Sequence, residues 1–401
     1  MKKLLGTGAM LLLIIYLLPV GYRLWSGTAL GDAAKDTLAV YAETGTEPPA
    51  SGDGGEAAGA SAGGQAAVGD GNPYSSLNSQ AAGGDAAEGG TSSVWVTGGG
   101  SAGAADAAGM AGSGDAGAAL PNGEITVSIH GEARTMPLES YVEGVVAAEI
   151  SPDFPEEAIK AQAVAARTYA VYKVNAGRPM QHRDADVCDD YTHCAAYLDL
   201  AAAASARWGE DADANTKKIQ KAVRDTAGEI LTADGKAIVA VFHSASAART
   251  ESAKDIWGSD ISYLKSVVSP GGSACERYEG TVRMTHDEFR EKIAGSYPSA
   301  DLSGDPSRWF ETSTRSDAGS VIVCTLGGVQ VKGTDLREIL GLNSSNFTLT
   351  IDEDTITFHT IGYGHGVGLS QYGAKYYAGQ GYSYEKILAH YYPGTALEKL
   401  A

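Results

Sequence analysis

In Tyr141-Val-Glu-Gly-Val-Val-Ala-Ala-Glu149 one carboxylate, Glu149, falls on an otherwise apolar helical stripe. Leu138, Val142, Val145 and Glu149 are spaced i, i+4, i+7 and i+11, which puts all four on one face of a 3.6-period helix. A carboxyl there is half in the core and at an element end. Desolvation disfavours its anion, so its pKa is expected to rise toward the range a general acid needs. The competing reading is a glutamate on the helix edge that faces water.

A second constellation is His182, Cys188, His193 and Cys194, in the pattern His-x5-Cys-x4-His-Cys. Two thiolates and two imidazoles complete a closed tetrahedral zinc site, the usual structural kind. The alternative is a Cys188–Cys194 disulfide, and Cys275 and Cys324 offer another pair. A third is Gly362-Tyr-Gly-His-Gly-Val-Gly368, with His365 at its centre as a proton carrier, a hydrogen-bonding wall residue or a purely structural imidazole. Its glycines alternate and no Lys-Ser/Thr follows, so it is neither a phosphate loop nor a dinucleotide fingerprint. They suit tight turns or close backbone approach to a ligand. His243-Ser244 lacks a nucleophile elbow, which argues against a serine hydrolase.

Several elements must position these groups. Pro137 suits the first turn of the Glu149 helix, and Ser151-Pro152 stops it. A second helix follows Pro155, with Ile159, Ala163, Ala166 and Ala170 as its apolar face and Arg167 beside that face. Residues 178–212 form a polar insertion bearing the His/Cys set. Ile125–Ile129 alternates like a strand, and Lys218–Ala227 reads as a helix closed by Gly228. Glu229–Thr232 and Lys236–Phe242 flank Asp234-Gly235, a hairpin signal. Further strands are expected at Val321–Cys324 and within Phe347–His359, and short helices near Ser370–Ala378 and Ser383–Tyr391. The fold class is α+β, with mixed and antiparallel sheets and packed helices around a groove.

Only part of the 401-residue chain reads as foldable. Residues 1–26 carry an uncharged apolar stretch, 4–22, behind Lys2 and Lys3. It is long enough to span a bilayer, with a cleaved signal peptide as the alternative. Residues 27–123 are rich in Gly, Ala, Ser and Asp, and are expected to be a disordered linker spanning about 55 Å root-mean-square. The folded domain is expected over 124–398. A net charge of −19, from 30 basic and 49 acidic residues, excludes the basic footprint of a nucleic-acid binder.

The Glu149 and Arg167 segments, Phe242-His-Ser-Ala-Ser246, Asp255-Ile-Trp-Gly-Ser259, Tyr263-Leu-Lys265 and Gly362 through Gly373 together resemble the stage II sporulation protein D family, in matching order from about Ile125 to Gly394. That family shares a domain with modifiers of cell-wall amidases. The resemblance implies a lytic transglycosylase that cuts peptidoglycan between N-acetylmuramic acid and N-acetylglucosamine during engulfment of the forespore. It implies Glu149 as catalytic acid, and roles in activity or glycan binding for Arg167, Tyr263 and Lys265. Some members bind zinc at the His/Cys insertion. The groove would then hold glycan, with the domain on the outer face of a single-pass membrane anchor in the engulfing membrane. Implied partners are the sporulation amidase P protein and the membrane protein M. Two rival readings are a non-catalytic activator of a cell-wall amidase and a zinc hydrolase centred on His182, Cys188 and Cys194, which the closed ligand count disfavours.

Overall fold

The computed structural model describes residues 120–400. The expected anchor, and the linker up to residue 119, lie outside the described residues. No helix among the described residues is long and apolar enough to cross a membrane.

The described chain opens with an antiparallel hairpin of β1 (Glu124–Ile129) and β2 (Glu132–Pro137). Pro137, fixed near a φ of −55°, launches α1 (Leu138–Glu149), and Pro155 launches α2 (Glu156–Ala176) in the same way. The extended Ile150 ends α1, one residue before the Ser151-Pro152 stop. Ile159, Ala163, Ala166 and Ala170 are buried as their spacing predicts. So many alanines let α2 lie close to its neighbours, and α1, α4 (Ala212–Asp225) and the helices Gln371–Gly379 and Tyr384–Tyr391 all pack against it. The insertion contributes β3 (Val187–Cys188), which adds in parallel to β1, and α3 (Leu200–Trp208), capped by the Asp199 side chain.

Asp234 and Gly235 turn the hairpin of β4 (Glu229–Ala233) and β5 (Lys236–Ala237) with φ of 50° and 72°. The second strand was expected to run on to Phe242. It ends at Ala237, and β6 (Phe242–His243) pairs instead in parallel with Leu369–Ser370. Tertiary pairing with the end of the glycine segment overrides the continuous apolar run.

Residues 279–361 build a second core, which the sequence analysis read only in part. Strands Val321–Leu326, Phe347–Ile351 and Thr355–Ile361 lie close to where they were expected. Strand Glu279–Thr285 and helices His286–Ser296 and Gly333–Leu340 were not anticipated. They enclose Phe289, Trp309 and Phe358, with Trp309 stacked on Phe289 at 5.8 Å. The lobes are joined where Glu251 Oε1 accepts the Ser320 N–H at 3.3 Å. The fold is thus α+β, with five small sheets of two or three strands. Cys324 belongs to the second core and Cys275 packs beside Ala245 and Tyr363; both are free thiols, so the pairing considered for them does not form.

Candidate functional site

Glu149 closes α1 with only 2% of its surface exposed. The edge-of-helix reading is therefore wrong: the stripe spacing carries the carboxyl inward along with Leu138, Val142 and Val145, all buried. Its Oε1 accepts the Ala196 backbone N–H at 3.1 Å, and the Gln371 side-chain Nε2 lies 3.5 Å from Oε2. Ala196 belongs to the insertion, which crosses α1 at Gly144. There the Gly144 carbonyl accepts the Leu198 N–H at 3.1 Å, and Tyr197 stacks on Tyr141 at 5.9 Å. A Cβ at Gly144 would overlap the Tyr197 ring and come within 2.8 Å of the Leu198 carbonyl oxygen. Gly144→Ala is accordingly expected to lift the insertion from α1, lowering stability by about 1–3 kcal/mol and weakening the Ala196 contact to Glu149. Urea unfolding and amide exchange at Ala196 check this.

The insertion is gathered by the His/Cys set. One ligand atom from each of His182, Cys188, His193 and Cys194 lies within 4.8 Å of the others. His182 Nε2 is 3.1 Å from His193 Nδ1, Cys194 Sγ is 3.4 Å from His182 Nε2 and 3.3 Å from His193 Nδ1, and Cys188 Sγ is 3.5 Å from His193 Nδ1. A zinc tetrahedron with ordinary Zn–N and Zn–S bonds has N···N and N···S edges of about 3.3–3.6 Å, so these residues could hold such an ion. His182 Nδ1 donates to the Ala185 carbonyl at 2.9 Å, which leaves Nε2 as the ligand nitrogen. Adjacent His193 and Cys194 face one point because the Asp190 turn bends the chain: the Asp190 carbonyl accepts both of their N–H groups. Cys188 and Cys194 are free thiols. A hydrogen bond with Cys194 holds the Cys188 thiol below its usual range, which favours the thiolate a metal would need.

The other expected site residues have different surroundings. Arg167 is fully buried and does not merely flank the α2 face. Its Nε donates to Glu139 Oε1 at 2.8 Å and Nη2 to Glu139 Oε2 at 2.6 Å, with further bonds to the Val223 and Glu229 carbonyls. Glu139 lies in the first turn of α1, about 15 Å along the helix from Glu149. Tyr263 is buried, its hydroxyl accepting the Val239 N–H at 3.3 Å, and burial pushes its phenol up. Lys265 is half-exposed and paired with Asp260.

His365 donates from Nε2 to the Phe242 carbonyl at 3.0 Å and accepts the Val367 N–H on Nδ1 at 3.1 Å. Burial holds its pKa well below the usual imidazole range, so the ring is neutral and presents a face, not a nitrogen, to any ligand. His243, its neighbour at 5.5 Å, is pushed down to about 4 by the same cause. The alternating glycines are packed closely against protein: at Gly366, φ of 81°, a Cβ would meet the Glu251 side chain at 2.7 Å.

The family model described as Stage II sporulation protein (SpoIID) matches residues 129–232, which include Glu149, Arg167 and the whole His/Cys set. Stage II sporulation protein D of Bacillus amyloliquefaciens is 40% identical over 264 residues, covering 66% of this chain and 75% of that one. The chain belongs to the stage II sporulation protein D family. The Bacillus subtilis protein of the same name is 38% identical over the same shares. A more distant relative, the Amidase enhancer of Bacillus subtilis, is 27% identical over 64% of this chain and 40% of its own length.

Within this sporulation protein D fold, sequence reasoning missed Glu139, Gly144, Ala196 and Gln371. Glu139 lies four residues before Glu143 in the first turn, where an acid is ordinary helix-dipole chemistry and attracts no notice. Ala196 acts through its backbone, which leaves no mark in the sequence.

Proposed function

We propose that the protein is a peptidoglycan lytic transglycosylase with Glu149 as its single acid–base group. What supports this above all is a nearly buried carboxyl fixed at a helix end between a backbone N–H and a side-chain amide. Glu149 as an acid gives its proton to the glycosidic oxygen between N-acetylmuramic acid and N-acetylglucosamine, and the C1–O bond breaks with its electron pair going to that oxygen. The resulting carboxylate then takes the proton of the muramic 6-hydroxyl as O6 bonds to C1. The product is a 1,6-anhydro end, and Glu149 finishes protonated as it began. One carboxyl suffices, whereas ordinary glycoside hydrolysis pairs two. Denuded strands are the proposed substrate, and Lys265 remains available at the surface to meet them.

The proposal places the domain outside the cytoplasm on the membrane anchor, working with the sporulation amidase P protein and membrane protein M. The rival reading, a non-catalytic amidase activator, draws on the relative named Amidase enhancer. Mass spectrometry of products from purified denuded glycan tests both. Anhydro ends support the transglycosylase, reducing ends a hydrolase, and uncut glycan with a stimulated amidase the activator.

Zinc at His182, Cys188, His193 and Cys194 is proposed as structural, since four protein ligands leave no open position. When bound, the ion would neutralise the thiolates and fix the insertion. Chelation or Cys188→Ser is expected to remove at least about 3 kcal/mol of stability, or roughly 6–12 °C in Tm. Metal analysis and a melting curve check it: a zinc-free wild type whose melting ignores chelator would end the metal reading.

A further inference from the structure

The two oxygens of Glu149 are held by partners of different chemistry. Oε1 takes the Ala196 N–H at 3.1 Å, and a peptide N–H can only donate. An oxygen accepting such a donor is carbonyl-like, so in the acid form the proton belongs on Oε2. Oε2 faces Gln371. A carboxamide both donates and accepts, and a half-turn about its last torsion exchanges the two. It is therefore a partner suited to a group that is an acid in one half of a reaction and a carboxylate in the other.

Gln371 is also rigidly placed. It is 2% exposed and begins the helix Gln371–Gly379, whose cap, Ser370 Oγ, accepts the Gly373 N–H and the Ser246 N–H, both at 3.3 Å. Gly373 is in contact with Tyr391, and a Cβ there would overlap the Tyr391 hydroxyl and come within 2.7 Å of Ser269 Oγ. Those hydroxyls are hydrogen-bonded to each other at 3.0 Å, so the helix start has little room to shift. The 3.5 Å approach of Gln371 to Oε2 is at the long end for a hydrogen bond, as is common where a contact tightens when charge develops.

We propose that Gln371 is the positioning residue of this site: its carboxamide holds Oε2, the oxygen carrying the shuttled proton, by donating to the carboxylate and accepting from the acid. This rests on the transglycosylase reading. The proton leaves Oε2 for the glycosidic oxygen, Gln371 donates to the anion, and the proton of the 6-hydroxyl returns to Oε2 as the amide turns back. No other reactant enters.

The test uses the full chain with 15N-labelled glutamine side chains. The Gln371 amide resonance, assigned in the unmutated protein by through-space contacts to the amides of its helix neighbours, is expected to titrate with the midpoint of the alkaline limb of cleavage. Glu149→Gln is expected to flatten it. Gln371→Met removes the donor that favours the anion, so the carboxyl keeps its proton to higher pH. The alkaline limb then moves up, kcat falls about tenfold, and KM is unchanged. A Gln371 resonance that stays flat while anhydro product forms overturns the assignment and spares the reaction; because it needs only the unmutated protein, it stands even if Gln371→Met does not fold. A Gln371→Met profile that superimposes on wild type also overturns it. A resonance that titrates in a protein leaving denuded glycan uncut refutes the reaction instead.

Discussion

Arg167→Ala is expected to cost about 3 kcal/mol of stability, the lower end of what breaking a buried ion pair removes because Glu139 keeps some solvent. The guanidinium has no exposed surface, and four of its hydrogen bonds end on Glu139, Val223 and Glu229. Truncation leaves the Glu139 carboxylate with the Gly228 N–H at 3.0 Å and solvent but no counter-charge, frees two carbonyls and leaves a cavity where α1, α2, α4 and β4 meet. Replacing the pair together, as Arg167→Met with Glu139→Leu, should recover much of the loss, since two matched apolar side chains carry no stranded charge. Urea denaturation of the three proteins measures this directly. A glycan-binding Arg167 would behave otherwise: wild-type stability in the alanine variant with a raised KM would restore that role.

The particular residues show what a sequence can and cannot disclose. The Glu149 stripe was legible because periodicity is local: Leu138 to Glu149 fall on one helical face whatever they pack against, and prolines mark both helix starts. The His/Cys set was legible by residue type, within one short insertion. The Asp190 turn that points the adjacent His193 and Cys194 at one place is made by backbone bonds, which leave no such mark. Arg167 was placed on the correct helix but on the wrong side of the core boundary, since a charge beside an apolar face normally reaches water. Its partner Glu139 is 28 residues away in the sequence. Gln371 lies 222 residues from Glu149, and no local pattern joins them. The second lobe escaped for another reason: Glu279–Thr285 alternates, but Val282 and Met284 are the only large apolar side chains on its inward face, too weak a pattern to stand out before it pairs with Thr355–Ile361.

Glu149→Gln is expected to abolish cleavage, a loss of about 10²–10⁴-fold or more, while changing stability by less than about 1 kcal/mol. The substitution keeps the size and shape of the side chain in a site with almost no free surface. The new amide oxygen can still accept the Ala196 N–H, and its NH₂ can donate to Gln371 once that carboxamide turns. Packing against the α1 stripe is unchanged, and removing an ionisable group from a buried site cannot introduce a desolvation penalty. What disappears is the transferable proton: an amide neither protonates the glycosidic oxygen nor accepts the proton of the 6-hydroxyl. Glu149→Ala should lose the same activity but also leave the Ala196 N–H unpaired over a small cavity, so it is expected to melt lower than the glutamine variant. Comparing the two by calorimetry and by mass spectrometry of the products separates chemistry from folding. A well-folded Glu149→Gln protein that still releases anhydro ends at the wild-type rate would remove Glu149 from the reaction, and with it the argument for a one-carboxyl mechanism.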